Sequence, residues 1–163
     1  MTKELCEVFL KDEASTMRAG NLIAEASGGS GVIYLHGDLG TGKTTLSRGV
    51  VRFFGYQGAV KSPTFTLVEP YELDHHRIYH FDLYRLTDPS EIEFLGVDEY
   101  FSQDSLCLVE WPEKGADFLP EPDLVIELDV YECGRMMKVY PHSGPGEMMM
   151  TPLKQTLQLD NEI

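Results

Sequence analysis

Apolar and polar positions fall along this chain in blocks whose lengths and periods separate helix from strand. Residues 12–26 place Met17 and Ile23 with apolar neighbours on one side and Arg18, Asn21 and Glu25 elsewhere, the spacing of a surface helix. Gly28-Gly29-Ser30-Gly31 ends it. Val32-Ile33-Tyr34-Leu35-His36 is a continuous apolar, β-branched run, the pattern of a strand buried on both faces of a parallel sheet. A glycine-rich turn over 37–42 leads into residues 43–54, which read as a helix closed by Gly55.

Further along, 65–68 and 78–81 read as short strands, the second ending at Asp82. Asp88-Pro89-Ser90 starts a helix over 91–95, with Asp88 as the capping residue and Gly96 as the stop. Leu106-Cys107-Leu108-Val109 is a third apolar run, ending at Glu110. Segments 124–130 and 135–140 alternate more and join through Cys133-Gly134, which predicts an antiparallel hairpin at one edge. The expected fold is α/β: a P-loop NTPase-like mixed sheet with a parallel core and antiparallel edge strands, flanked by helices. Residues 1–140 form one domain in this reading, and 141–163, with Gly144-Pro145-Gly146 and Met148-Met149-Met150, a loose tail.

Composition narrows the function. With 163 residues, 42% hydrophobic and 25% charged, the chain has the make-up of one folded domain rather than a disordered segment. Its 27 acidic and 13 basic side chains give a formal charge of −14, which repels phosphate backbones and argues against direct nucleic-acid binding. The three cysteines are widely spaced, without a CxxC pair, and read as reduced thiols of a cytoplasmic protein. No apolar run is long enough for a signal peptide or a membrane span, so no membrane partner is expected.

The chemistry concentrates at Gly37-Asp38-Leu39-Gly40-Thr41-Gly42-Lys43-Thr44, which fits the G-x-x-x-x-G-K-[ST] phosphate loop. Leu39, Gly40, Thr41 and Gly42 present backbone N–H groups to an anion, Lys43 adds a point charge, and Thr44 and Thr45 open the helix. The Thr44 hydroxyl can ligate Mg²⁺ beside a bound triphosphate. Asp82 and Glu110 each end an apolar strand, at the sheet edge where α/β folds hold ligands, and supply the carboxylates for Mg²⁺ or for orienting water. Thr64, in Ser62-Pro63-Thr64-Phe65-Thr66, is either a γ-phosphate contact or part of a Pro63-led turn. His75, His76 and His80 are read as surface histidines. Trp111 leaves the third strand at the ligand edge, either covering the nucleotide, serving a partner surface or packing as a rim aromatic.

His80-Phe81-Asp82-Leu83-Tyr84-Arg85-Leu86, Lys61-Ser62-Pro63-Thr64-Phe65-Thr66-Leu67-Val68-Glu69 and Glu110-Trp111-Pro112, in this order after the phosphate loop, closely resemble the bacterial TsaE (YjeE) family from about residue 12 to residue 135. The resemblance implies a small P-loop ATPase using ATP and Mg²⁺ in the synthesis of N6-threonylcarbamoyladenosine (t6A) in tRNA. It would act on the TsaB–TsaD complex, touch tRNA only through those partners, and hydrolyse ATP weakly alone. The resemblance also implies that Lys43 and Thr44 hold phosphate and Mg²⁺, that Glu110 serves Mg²⁺ or the attacking water, and that Asp82 fills the Mg²⁺-side role. It adds nucleotide contacts from Glu13 and from Cys133 or Arg135, with Trp111 at the mouth of the site. Thr41 stands where the family often has Ala, a change a backbone-presenting loop tolerates.

Two other readings compete: a small-molecule kinase, and a non-hydrolytic module in which nucleotide shapes a docking surface. A GTPase would carry an N-K-x-D motif, which this sequence lacks.

Overall fold

The three apolar runs become neighbouring strands at the centre of one sheet. In the computed structural model, which describes residues 6–63, 65–102 and 104–162, β2 (Gly31–His36) pairs in parallel with β5 (Ser105–Glu110) on one side and β6 (Leu124–Tyr131) on the other. β4 (Arg77–Asp82) extends the parallel set beyond β5. The edges are antiparallel: β3 (Val68–Glu72) on β4, and β7 (Gly134–Pro141) with β1 (Cys6–Leu10) beyond it on β6. The order β1-β7-β6-β2-β5-β4-β3 is the mixed sheet expected from the pattern. Every residue of β5 is buried, whereas the outer end of β6 is exposed, because only the central strands are covered on both faces.

Two helices bring the main core together. α1 (Glu13–Ser27) starts at Asp12, whose Oδ1 accepts from the Ser15 N–H at 2.8 Å, and ends at Gly28 in the left-handed region. α2 (Lys43–Phe53) crosses α1 where two glycines meet. A Cβ on Gly20 would lie 2.3 Å from Leu46 O, and one on Gly49 would lie 2.3 Å from Met17 O. Asn21 Nδ2 donates to Gly49 O at 2.6 Å across the same crossing. Short helices α3 (Glu91–Phe94) and α4 (Val97–Tyr100) cover the second apolar cluster, built on Phe81, Cys107 and Val109.

The structure departs from the pattern in three places. The strand expected at 65–68 begins only at Val68, since Leu67 adopts φ +68° and its N–H donates to Pro63 O at 2.8 Å, turning the chain first. β1 has no counterpart in the pattern; five residues are too few for a period, and pairing with β7 supplies what local propensity does not. Beyond Pro141, α5 (Gly144–Glu162) packs on α1, β1 and β7, burying Met149, Met150, Leu153 and Leu157 in the main core instead of trailing as a loose tail. Its breaker-like opening is compatible with a helix, because Pro145 sits in the first turn, where no N–H is needed, and the Ser143 hydroxyl accepts from Gly146 N–H at 3.1 Å. Among the described residues, no helix is long and apolar enough to cross a membrane.

Candidate nucleotide site

β2 is the strand at which the chain changes sides: after α2 the chain lays down β3, β4 and β5 on one flank, then returns to β6 on the other. A crevice opens outside the carboxyl end of such a strand. The register brings Leu35, Glu110 and Asp82 level at that edge, Leu35 opposite Glu110 and Glu110 opposite Asp82. The glycine loop leaves β2 here. Gly37 (φ +155°) lies so close to the β6 backbone that a Cβ would meet Leu128 O at 2.5 Å.

The starts of α1 and α2 differ in a way that bears on chemistry. α1 is closed by the Asp12 side chain, while α2 begins at Gly42 (φ +106°) with no side-chain cap and no acid in its first turn. The N–H groups opening α2 and its dipole are therefore offered to an outside anion. Lys43 is buried at the same point, donates to Gly37 O, and lies under the Trp111 indole with Nζ 4.0 Å from the ring centroid. Burial lowers the Lys43 pKa, and Glu110, Asp82, Glu113 and Asp38 oppose that shift.

Both carboxylates are held. Asp82 accepts from the Ser62 hydroxyl at Oδ2 and from the Tyr84 N–H at Oδ1, 3.0 Å. Glu110 Oε2 accepts from Thr44 Oγ1 at 3.3 Å and lies 2.5 Å from His80 Nε2. Thr44, Asp82 and Glu110 are hard oxygen donors, few in number, as suits Mg²⁺ that shares its coordination with substrate phosphates and water. Among the described residues no three His, Cys, Asp or Glu side chains gather as a metal cluster.

A cavity of about 510 Å³ covers this ground, within the size range of small-molecule sites. Lys43, Thr44, Asp82, Glu110 and Trp111 line it together with the loop residues Leu39, Gly40, Thr41, Gly42 and Thr45. Glu13, Cys133 and Arg135 reach it from α1 and from the β6–β7 hairpin. Arg135 donates through Nε to Thr41 O at 3.0 Å, through Nη2 to Gly40 O at 3.1 Å, and through Nη1 to Gly134 O at 2.9 Å, so its guanidinium braces the loop. Thr64 lies outside the described residues.

His80 requires a correction. It is completely buried, not on the surface, while His75 is exposed and His76 packs against Phe54, the rings tilted at 45° with centroids 4.5 Å apart. The period-two alternation of β4 carried the signal, because Ile78, His80 and Asp82 share one face. Ser62, which holds Asp82, had no comparable signature.

Strand, uncapped glycine loop and helix at the turning point of a mixed sheet define an α/β protein of the P-loop NTPase-like class. The family model for threonylcarbamoyl adenosine biosynthesis protein TsaE matches residues 10–137. The tRNA threonylcarbamoyladenosine biosynthesis protein TsaE of Haemophilus influenzae is 45% identical over 148 residues, spanning 88% of this chain and 94% of its own. Its Bacillus subtilis namesake is 44% identical over 95 residues, 58% of this chain and 59% of its own. The crystal structure of Bacillus subtilis YdiB superposes with a TM-score of 0.79 at 28% identity, covering 96% of this chain and 98% of that one. The chain belongs to the TsaE family.

Proposed function

We propose that this protein binds ATP with Mg²⁺ at the β2–α2 site and hydrolyses it as a subunit required for t6A modification of tRNA, acting on the TsaB–TsaD complex. The names of its relatives support the pathway. The observation that carries the chemistry is the contact of Thr44 Oγ1 with Glu110 Oε2, 3.3 Å, beside the uncapped start of α2. The N–H groups of the loop and of α2 hold the phosphates, and Lys43 adds positive charge where the triphosphate ends. Thr44, Asp82 and Glu110 hold Mg²⁺, which when bound neutralises charge on the phosphate oxygens. Glu110 is the group that would orient the attacking water, and Asp82, fixed by the Ser62 hydroxyl and the Tyr84 N–H, supplies the second carboxylate.

A net charge of −14 leaves the grip on tRNA to the partner proteins, and work on tRNA goes with a cytoplasmic location. Glu110→Ala tests the reading. It should keep ATP binding, measured by calorimetry, and lose phosphate release in the presence of TsaB–TsaD. Unchanged turnover would remove Glu110 from its role, and a phosphorylated small molecule in place of free phosphate would substitute a kinase.

A further inference from the structure

Glu110 is a carboxylate with 3% of its surface exposed, at the end of a strand that runs through the apolar residues Leu106 to Val109. Such a group needs donors. Among the described residues it has two, Thr44 Oγ1 at 3.3 Å and His80 Nε2 at 2.5 Å, both on Oε2. The function proposed above assigns the Thr44 hydroxyl to the cation. Once that hydroxyl turns to a cation, His80 is the remaining donor to Oε2.

The His80 ring reports its own hydrogen placement. Nδ1 is buried and has no hydrogen-bond partner among the described residues. A ring protonated at Nδ1 alone would bury an N–H with nothing to accept it and turn a lone pair toward the Glu110 carboxylate. A ring protonated at Nε2 directs a donor at Glu110 Oε2. We infer that His80 is the positioning residue of this site: a buried imidazole that donates from Nε2 and holds Glu110 Oε2 in place when Thr44 is recruited to the cation. His80 neither touches nucleotide nor moves a proton in this role. It fixes the carboxylate so that Glu110 needs no reorganisation as ATP turns over.

The catalytic half of this inference rests on the ATPase reading; the hydrogen placement does not. Two measurements therefore accompany each other. In the ¹⁵N-labelled, ligand-free chain, two-bond ¹⁵N–¹H correlations, assigned by their disappearance in His80→Gln, should show His80 carrying a proton at Nε2. A bare Nε2, with the proton on Nδ1 alone, overturns the inference. With TsaB–TsaD present, His80→Leu should lower kcat about tenfold or more, the worth of one hydrogen bond to a charged group, while KM for ATP stays within about twofold. His80→Gln, which returns an N–H at similar reach, should recover most of kcat. Wild-type turnover in His80→Leu, or equal loss in both folded variants, reduces His80 to a packing residue and overturns the inference. If the unaltered protein hydrolyses no ATP, the ATPase reading fails instead, and the ring's protonation alone decides whether His80 holds Glu110.

Discussion

Trp111 covers Lys43: the ammonium nitrogen lies 4.0 Å from the indole centroid, and Trp111 itself is held at φ +58° against Tyr84, 5.0 Å between rings. Trp111 is also the chain's one tryptophan. A phosphate drawn to Lys43 changes the charge facing the indole, so ATP with Mg²⁺ should alter tryptophan emission saturably. Lys43→Ala should weaken binding by about tenfold or more through loss of that charge, and should lose the emission change at the same concentration. Unaltered emission while calorimetry registers binding would contradict this placement of the phosphates.

The same lysine predicts a pH effect on stability. Its folded pKa is lowered by burial from the ordinary 10.5. Between that lowered value and 10.5 the unfolded chain holds more protons at this position than the folded one, so the Lys43 contribution to stability rises with pH. In paired urea melts, wild type should gain on Lys43→Met as pH climbs towards 10.5 and stop gaining above it. A difference that falls over that range would contradict the burial of a charged ammonium.

Gly20 and Gly49 let α1 and α2 touch at the backbone. Gly49→Ala would set a methyl 2.3 Å from Met17 O, which only a shift of one helix can relieve. The expected cost is about 1–3 kcal/mol in urea unfolding. Because α2 carries the phosphate loop and α1 carries Glu13, ATP affinity should fall as well. Neutral behaviour in both measurements would mean the helices separate without consequence.

Leu153 on α5 is fully buried. Leu153→Ala should cost about 2–5 kcal/mol, the range for a large-to-small change in a packed core. A loss below ~0.5 kcal/mol, the size of an ordinary surface substitution, would show that α5 does not belong to the main core.

The expectations that the structure met and those it did not divide along one physical line. β2, β5, the glycine loop and the strand-end positions of Asp82 and Glu110 were legible because each is local: a run of apolar residues, a fixed spacing, a carboxylate directly after a strand. α5 was hidden by Gly144, Pro145, Gly146 and Pro152, breakers whose effect depends on where in a helix they fall. β1 exists through its partner β7, which no local pattern announces. His80 reads as one of three surface histidines although β4 places it on the face of Asp82, and its contact with Glu110 joins residues 30 apart in sequence. The Arg135 brace on Gly40 and Thr41 is longer still in range, 95 and 94 residues, and only the β7 register brings it to the loop.

The measurement that bears most directly on the proposed function is phosphate release from ATP by the full chain, with and without TsaB–TsaD, in the presence of Mg²⁺. Slow release alone and clear stimulation by the partner pair, lost in Glu110→Ala, is the predicted result. Equal rates with and without TsaB–TsaD would contradict an ATPase that serves that complex.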